Sequence, residues 1–137
     1  MTTSAASANR PGFVRRHLGL TALVVVVGLP LLVFAVWTAA ALGYTYSRGD
    51  RTGYAQKLSK KGFVCKTWEG ELAVSNVPGQ APQLFAYSVR DDAVAEQIRR
   101  LDGQRVTLTY AQHLHVPTSC FGETEYYVEG VRPAPAR

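Results

Sequence analysis

Between Leu18 and Ser47 the chain runs for thirty residues without an Asp, Glu, Lys, Arg or His. A bilayer core about 30 Å thick needs roughly 20 apolar residues at 1.5 Å each, and Leu20 to Leu42 supplies that length with some surplus. Inside lipid the backbone must satisfy its own hydrogen bonds, so a helix is expected despite the many valines. Pro30, near the middle, removes one donor and predicts a modest kink. Trp37, Tyr44 and Tyr46 gather toward the C-terminal end, where amphipathic rings suit the headgroup layer. A cleaved signal peptide is the competing reading, supported by the Arg-containing start and by Ala39-x-Ala41. A signal core is usually about 7–15 residues, so the longer run favours a retained signal-anchor.

Charge bears on orientation. The first seventeen residues hold Arg10, Arg15 and Arg16 and no acid, while Arg48, Arg51, Lys57, Lys60, Lys61 and Lys66 follow the apolar run against Asp50 alone. Counting bases at both ends favours the second group on the inside. The opposite orientation is preferred here, because Arg15 and Arg16 abut the helix and long domains translocate largely regardless of charge. The expected organisation is a cytoplasmic basic tail (1–17), a transmembrane helix with its flanks (18–46), a basic juxtamembrane collar (47–62), a small β-rich domain (63–131) and a disordered tail (132–137). The predicted location is the cytoplasmic membrane, single-pass, with the N-terminus inside and the C-terminal domain outside.

The stretch from Arg48 to Lys66, which includes the collar, carries a balance of +5, and Thr67 to Arg137 carries −3. Basic residues beside a membrane suit anionic lipid headgroups, at about 1 kcal/mol each near the surface. A lipid bilayer is therefore the expected partner. Nucleic acid is not expected, given a short collar, an acidic domain beyond it and a membrane anchor. The ninety residues from Arg48 to Arg137 suffice for one small domain and lack G-x-G-x-x-G and G-x-x-x-x-G-K-[ST] motifs.

Within those ninety, Gly53 to Lys60 reads as a short helix stopped by Gly62, and Phe63 to Val74 as a long strand bulged or bent at Gly70. Val77-Pro78-Gly79-Gln80 is a turn signal. Gln83 to Val89 is a strand with Phe85, Tyr87 and Val89 on one face. The period then changes: Val94, Ile98 and Leu101 recur at helical spacing, with Asp91 or Asp92 as cap, Arg99 and Arg100 in the last turn and Gly103 as stop. Arg105 to His115 and Thr124 to Val131 alternate as two more strands. The fold class expected is an N-terminal transmembrane helix plus a small β-rich α+β domain, a partly open OB-like barrel with one helix. The phrase LDGQRVTLTY is similar to the helix-to-strand step of such barrels, an analogy that licenses no function.

The stretch YSRGDRTGYAQKLSKKGFVCKTWEGELA, Tyr46 to Ala73, resembles a motif that recurs in a family of small single-pass bacterial membrane proteins, YSxGxRxGxxxKxSxKGxxCKTWEGEL. FAYSVRDDAVAEQI, GQRVTLTYAQH and CFGETEYYV match the rest of that family's pattern, so the resemblance covers most of Tyr46 to Val131. It implies a bacterial source and brings no established activity. Some such chains carry a 6-phosphogluconate dehydrogenase label, which the residues here do not support, since the dinucleotide fingerprint and the room for that fold are both missing.

Cys65 and Cys120 are the only cysteines. In an extracytoplasmic domain they are expected to pair; in a cytosolic one they would be two buried thiols. His113-x-His115 lies close to Cys120, and with Cys65 would complete a Cys₂His₂ set, although the spacing matches no common zinc motif. Glu69 and Glu71 flank Gly70 and are read as a charged outer face. Trp68, Tyr87, Tyr110 and Tyr126, with Lys60 and Lys61, are candidate interaction residues; aromatics at strand spacing are otherwise core. No Ser–His–Asp order or nucleophile elbow is visible. The function expected is a non-catalytic binding or envelope-associated interaction module with no cofactor, no catalytic residues and no resident metal. The alternative is a metal-dependent or small enzymatic factor using His113, His115, Cys65 and Cys120.

Overall fold

The computed structural model describes residues 13–74 and 78–135, and side chains from residue 17 onward. The expected cytoplasmic tail up to residue 12, Val77 of the turn and the last two residues lie outside the described residues, as do the side chains of Arg15 and Arg16. The chain divides into two compact units, one ending at Val36 and one beginning at Trp37.

Helix α1 (Phe13–Gly43) runs uninterrupted through Pro30. From His17 to Gly43 it is long and apolar enough to cross a membrane, and none of that span's most apolar stretch is buried against protein. Leu20, Val26 and Leu32 are all largely exposed although they point in different directions around the helix. A helix apolar all round has no polar face to give to water.

The second unit is a closed barrel of five strands in the order β1-β2-β3-β5-β4, with β4 returning to β1. These are β1 (Ser47–Lys61), β2 (Thr67–Val74), β3 (Gln83–Val89), β4 (Arg105–Gln112) and β5 (Tyr126–Pro133), with α2 (Asp92–Arg100) between β3 and β4. Neighbours are antiparallel except β3 and β5, which run parallel and meet at one residue pair, Ser88 with Tyr127. Closure there is minimal, as a barrel near the open end of its range requires. The fold is OB-like.

The largest departure from expectation is β1. The segment predicted as a helix over Gly53–Lys60, inside a collar outside the domain, is the longest strand of the barrel. Its first half pairs with β4 and its second half with β2. Small residues permit this. Gly53 and Ala55 are buried where β1 crosses β2, and a Cβ on Gly53 would stand 2.5 Å from the Ala73 carbonyl oxygen. A bulge between Ala55 and Lys57 then re-aims the strand. The domain therefore begins at Ser47 rather than at residue 63. It also extends past 131: Arg132 and Pro133 pair with Thr107 and Val106, and Ala134 N–H donates to the Arg105 carbonyl at 3.0 Å. The expectation of a disordered tail from 132 is corrected accordingly, since the β4 edge supplies partners.

Gly70 is not a bulge. Its register with Leu58 and Tyr87 is regular, and its missing side chain makes room for the Tyr87 ring, whose Cζ would lie 2.4 Å from a Cβ. The α2 helix follows its sequence signals. Asp91 caps it by accepting from Ala93 N–H at 2.8 Å, and Arg99 and Arg100 occupy the last turn. Val94, Ala95 and Ile98 face inward, and Gly103 takes the left-handed conformation at φ 73° just past the end. Inside the barrel Leu72, Tyr87, Val106 and Leu108 are completely enclosed.

Candidate functional site

The β1–β2 loop (62–66) and the β4–β5 loop (113–125) are joined by a disulfide between Cys65 and Cys120, with Cα atoms 4.9 Å apart. That separation lies within the usual span of a disulfide. The pairing expected of the two cysteines is present. It removes both sulfurs from the ligand set that the metal-dependent alternative needed. His113 is buried, its Nδ1 lies 3.0 Å from the Tyr44 carbonyl oxygen, and its ring meets Tyr127 edge-on at 5.4 Å. His115 is exposed, with its carbonyl accepting from Trp37 Nε1 at 3.1 Å. Among the described residues no three His, Cys, Asp or Glu side chains gather as a metal would require.

Beneath the β4–β5 loop lies a polar cluster that alternation along β2 hides. Glu69, read as outer-face charge, is only 5% exposed. Its Oε1 accepts from the Thr67 hydroxyl at 2.7 Å and from the Glu123 N–H at 3.0 Å, and its Oε2 accepts from the Ser88 hydroxyl at 2.6 Å. Ser88 gives its single proton to Glu69 and accepts from the Thr124 N–H at 3.0 Å; the Thr124 hydroxyl, 2.8 Å from Ser88 Oγ, also reaches the Tyr126 carbonyl oxygen at 3.1 Å. Glu69 does point outward, but the loop comes down over it and supplies donors in place of water. Ser88 is fully enclosed and hydrogen-bonded to an acid. It has neither the access nor the partner of a nucleophile, and the cluster acts as a clasp between loop and sheet.

Beside the bridge is a notch of about 210 Å³ lined by Lys60, Lys66, Thr67, Trp68, Val89, Arg90, Asp92, Cys120 and Phe121. Lys60 Nζ stands 5.2 Å from the centre of the Trp68 ring, and the Arg90 guanidinium 5.7 Å from that of Phe121. Trp68 Nε1 donates to Asp92 Oδ1 at 2.6 Å, and Lys60 approaches the same oxygen at 3.5 Å. The tryptophan bond, and then Lys60, hold the Asp92 carboxyl below its usual range. Three cations thus face one acid beside two aromatic rings.

The remaining candidates separate. Lys61 lies on the opposite face from the notch, opposite Thr67 in register, and with Lys57, Glu69, Glu71 and Glu123 lines a crevice of about 60 Å³. Tyr87 is not available for interaction: it is wholly buried, and burial pushes its hydroxyl far above the ordinary range. Tyr110 and Tyr126 are half-buried and pack on Phe85, at 5.5 and 4.9 Å between ring centres, with Arg51 over the Phe85 face. They belong to the core's edge. Sequence reading missed Arg90, Asp92 and Phe121 as notch residues. It also placed Phe63 and Val64 inside a strand, whereas both stand in the β1–β2 loop, Phe63 fully exposed and Val64 88% exposed. The run of four lysines from Lys57 to Lys66 around two apolar residues was the available signal.

No family model matches the chain, and no curated protein matches it. Among solved structures, the mitochondrial single-stranded DNA-binding protein of S. cerevisiae is similar at 6% identity and a TM-score of 0.49, over 66% of this chain and 95% of that one. OB-type barrels take oligonucleotides through the β2–β3 face and the loops after β1 and β4. The expectation of no nucleic-acid partner is corrected: a barrel of this architecture does not exclude one. Among folds, the barrel is a small OB-like domain.

Proposed function

We propose that the chain is a membrane-anchored binding module whose ligand-binding end is the disulfide-joined pair of loops. Helix α1 is the anchor, retained rather than cleaved, with the N-terminal tail in the cytosol and the barrel on the outer side of a bacterial cytoplasmic membrane. Membership in the family that Tyr46–Ala73 resembles is part of this proposal. The observation that carries it is the Cys65–Cys120 bridge, because such bonds persist in oxidising compartments and are rare in the cytosol. The notch beside the bridge, with Lys60, Lys66 and Arg90 against Asp92, supports an anionic ligand. Among the described residues no catalytic set accompanies it, and binding rather than turnover is the reading.

A reporter active only outside the cytosol, fused after Arg137, is expected to be active, and the full-length protein to stay with membranes through alkaline extraction. Activity confined to a cytosolic reporter would reverse the orientation. Release of a processed barrel would remove the anchor. A second reading is favoured by the two ring–cation pairs of the notch: aromatic faces beside cations also suit single-stranded nucleic acid.

A further inference from the structure

The tip of the β1–β2 hairpin presents Phe63 and Val64 side by side with almost no cover. Single exposed apolar residues are ordinary, but two large ones at the apex of a loop held by a disulfide place apolar surface in water that a partner would remove. Four lysines, Lys57, Lys60, Lys61 and Lys66, bracket the pair, and the ten residues from Lys57 to Lys66 contain no acid. Just behind the tip, Lys60, Lys66 and Arg90 line the notch.

We infer that this tip is a docking element for an anionic phospholipid bilayer: Phe63 and Val64 enter the headgroup–acyl boundary while Lys60, Lys66 and Arg90 receive lipid phosphates. An apolar wedge ringed by bases is complementary to such a surface, which offers acyl depth for the wedge and negative charge for the ring. A folded protein partner would offer a shaped pocket, and an oligonucleotide would use the rings of the notch but would leave Phe63 and Val64 in water. The bridge from Cys65 to Cys120 keeps the wedge and the notch in register. The inference rests on the reading of this end as ligand-binding and names the ligand's class; it does not depend on which side of the membrane the barrel faces.

The test uses full-length protein held in phosphatidylcholine nanodiscs and mixed with vesicles of phosphatidylcholine alone or with about one-third phosphatidylglycerol, followed by flotation. The expected result is capture by the anionic vesicles alone. Replacing Phe63 and Val64 with Ser should weaken it about tenfold, and Lys60→Glu with Lys66→Glu by at least as much. An intact disulfide on non-reducing gels and an unchanged melting temperature certify that each variant is folded. Equal capture by neutral vesicles, or full capture by the folded F63S/V64S variant, would overturn the inference. Inorganic phosphate and a single-stranded oligonucleotide are added as competitors. Displacement by millimolar phosphate would reassign the notch to a free anion. Preferential binding of the oligonucleotide would overturn the lipid assignment but preserve the binding end. Binding of none of these would overturn both.

Discussion

In the strand that follows Cys65 a carboxylate is buried; in the loop that precedes it a phenylalanine is in water. Glu69 and Phe63 are six positions apart, and hydropathy would exchange their places. Glu69 is acceptable inside because Thr67, Ser88 and the Glu123 amide supply donors that replace its hydration. Phe63 is outside because the chain there is turning between strands, and neither β2 nor the β4–β5 loop reaches over it. The contrast separates what holds the barrel from what it shows to a partner. The polar cluster is internal structure, and the apolar tip is the surface left for something else.

Removing the bridge should have the largest effect on both sides. It closes a loop spanning 55 residues, for which the chain-entropy account gives about 4 kcal/mol. The C65S/C120S variant is expected to lose that much in denaturant titrations followed by Trp68 fluorescence, with amides of 113–125 exchanging faster than those of β4. Unchanged stability would mean that the loop is held by the clasp alone. Next comes Glu69→Leu, which leaves two hydroxyls and one N–H without their acceptor and should cost about 3 kcal/mol. Ser88→Ala in that background should add little, because the two changes break one network.

The same logic gives the opposite expectation at the tip. F63S/V64S removes two apolar side chains yet should change the unfolding free energy by less than about 0.5 kcal/mol. A loss of 2 kcal/mol or so, as a buried aromatic would give, would show that the tip is core and would dissolve the comparison.

Legibility in the sequence follows the same divide. Local signals read well wherever a short segment determines its own state. Helix α1 announces itself by composition, α2 by its cap, period and last-turn arginines, and β3 by its alternation, matching the observed bounds Gln83–Val89. The cysteine pair was legible as a candidate once an oxidising compartment was assumed. What failed depends on distant chain. β1 contains Gly53, Ala55, Lys57 and Lys60, residues of weak strand preference, and is a strand only because β2 and β4 both offer edges to it. The burial of Glu69 could not be read from β2, because its cover comes from residues more than fifty positions later. Exposure of Phe63 was misread for the converse reason: nothing local says that the strand starts at Thr67 rather than at Phe63.

The smallest effect concerns Asp92, where the notch meets α2. Its folded value is depressed, so the stabilisation it brings is present above its unfolded value near 4 and is lost as pH falls through the lower folded value. Trp68→Phe removes the leading cause, the indole N–H bond. The Asp92 carboxyl carbon, followed by NMR, should then titrate closer to the ordinary range. An unchanged titration would show that the indole does not set the charge of the notch.

The claim on which the rest stands is that the β1–β2 and β4–β5 loops are one covalently joined surface. Peptide mapping of the full-length protein, purified from its own membrane with free thiols blocked at lysis and digested without reductant, tests it directly. The account predicts one species linking the Cys65 peptide to the Cys120 peptide, dissolved by reductant, with no blocked thiol at either position. Recovery of both cysteines as blocked free thiols would contradict it, and with it both the oxidising location and the fixed register of tip and notch.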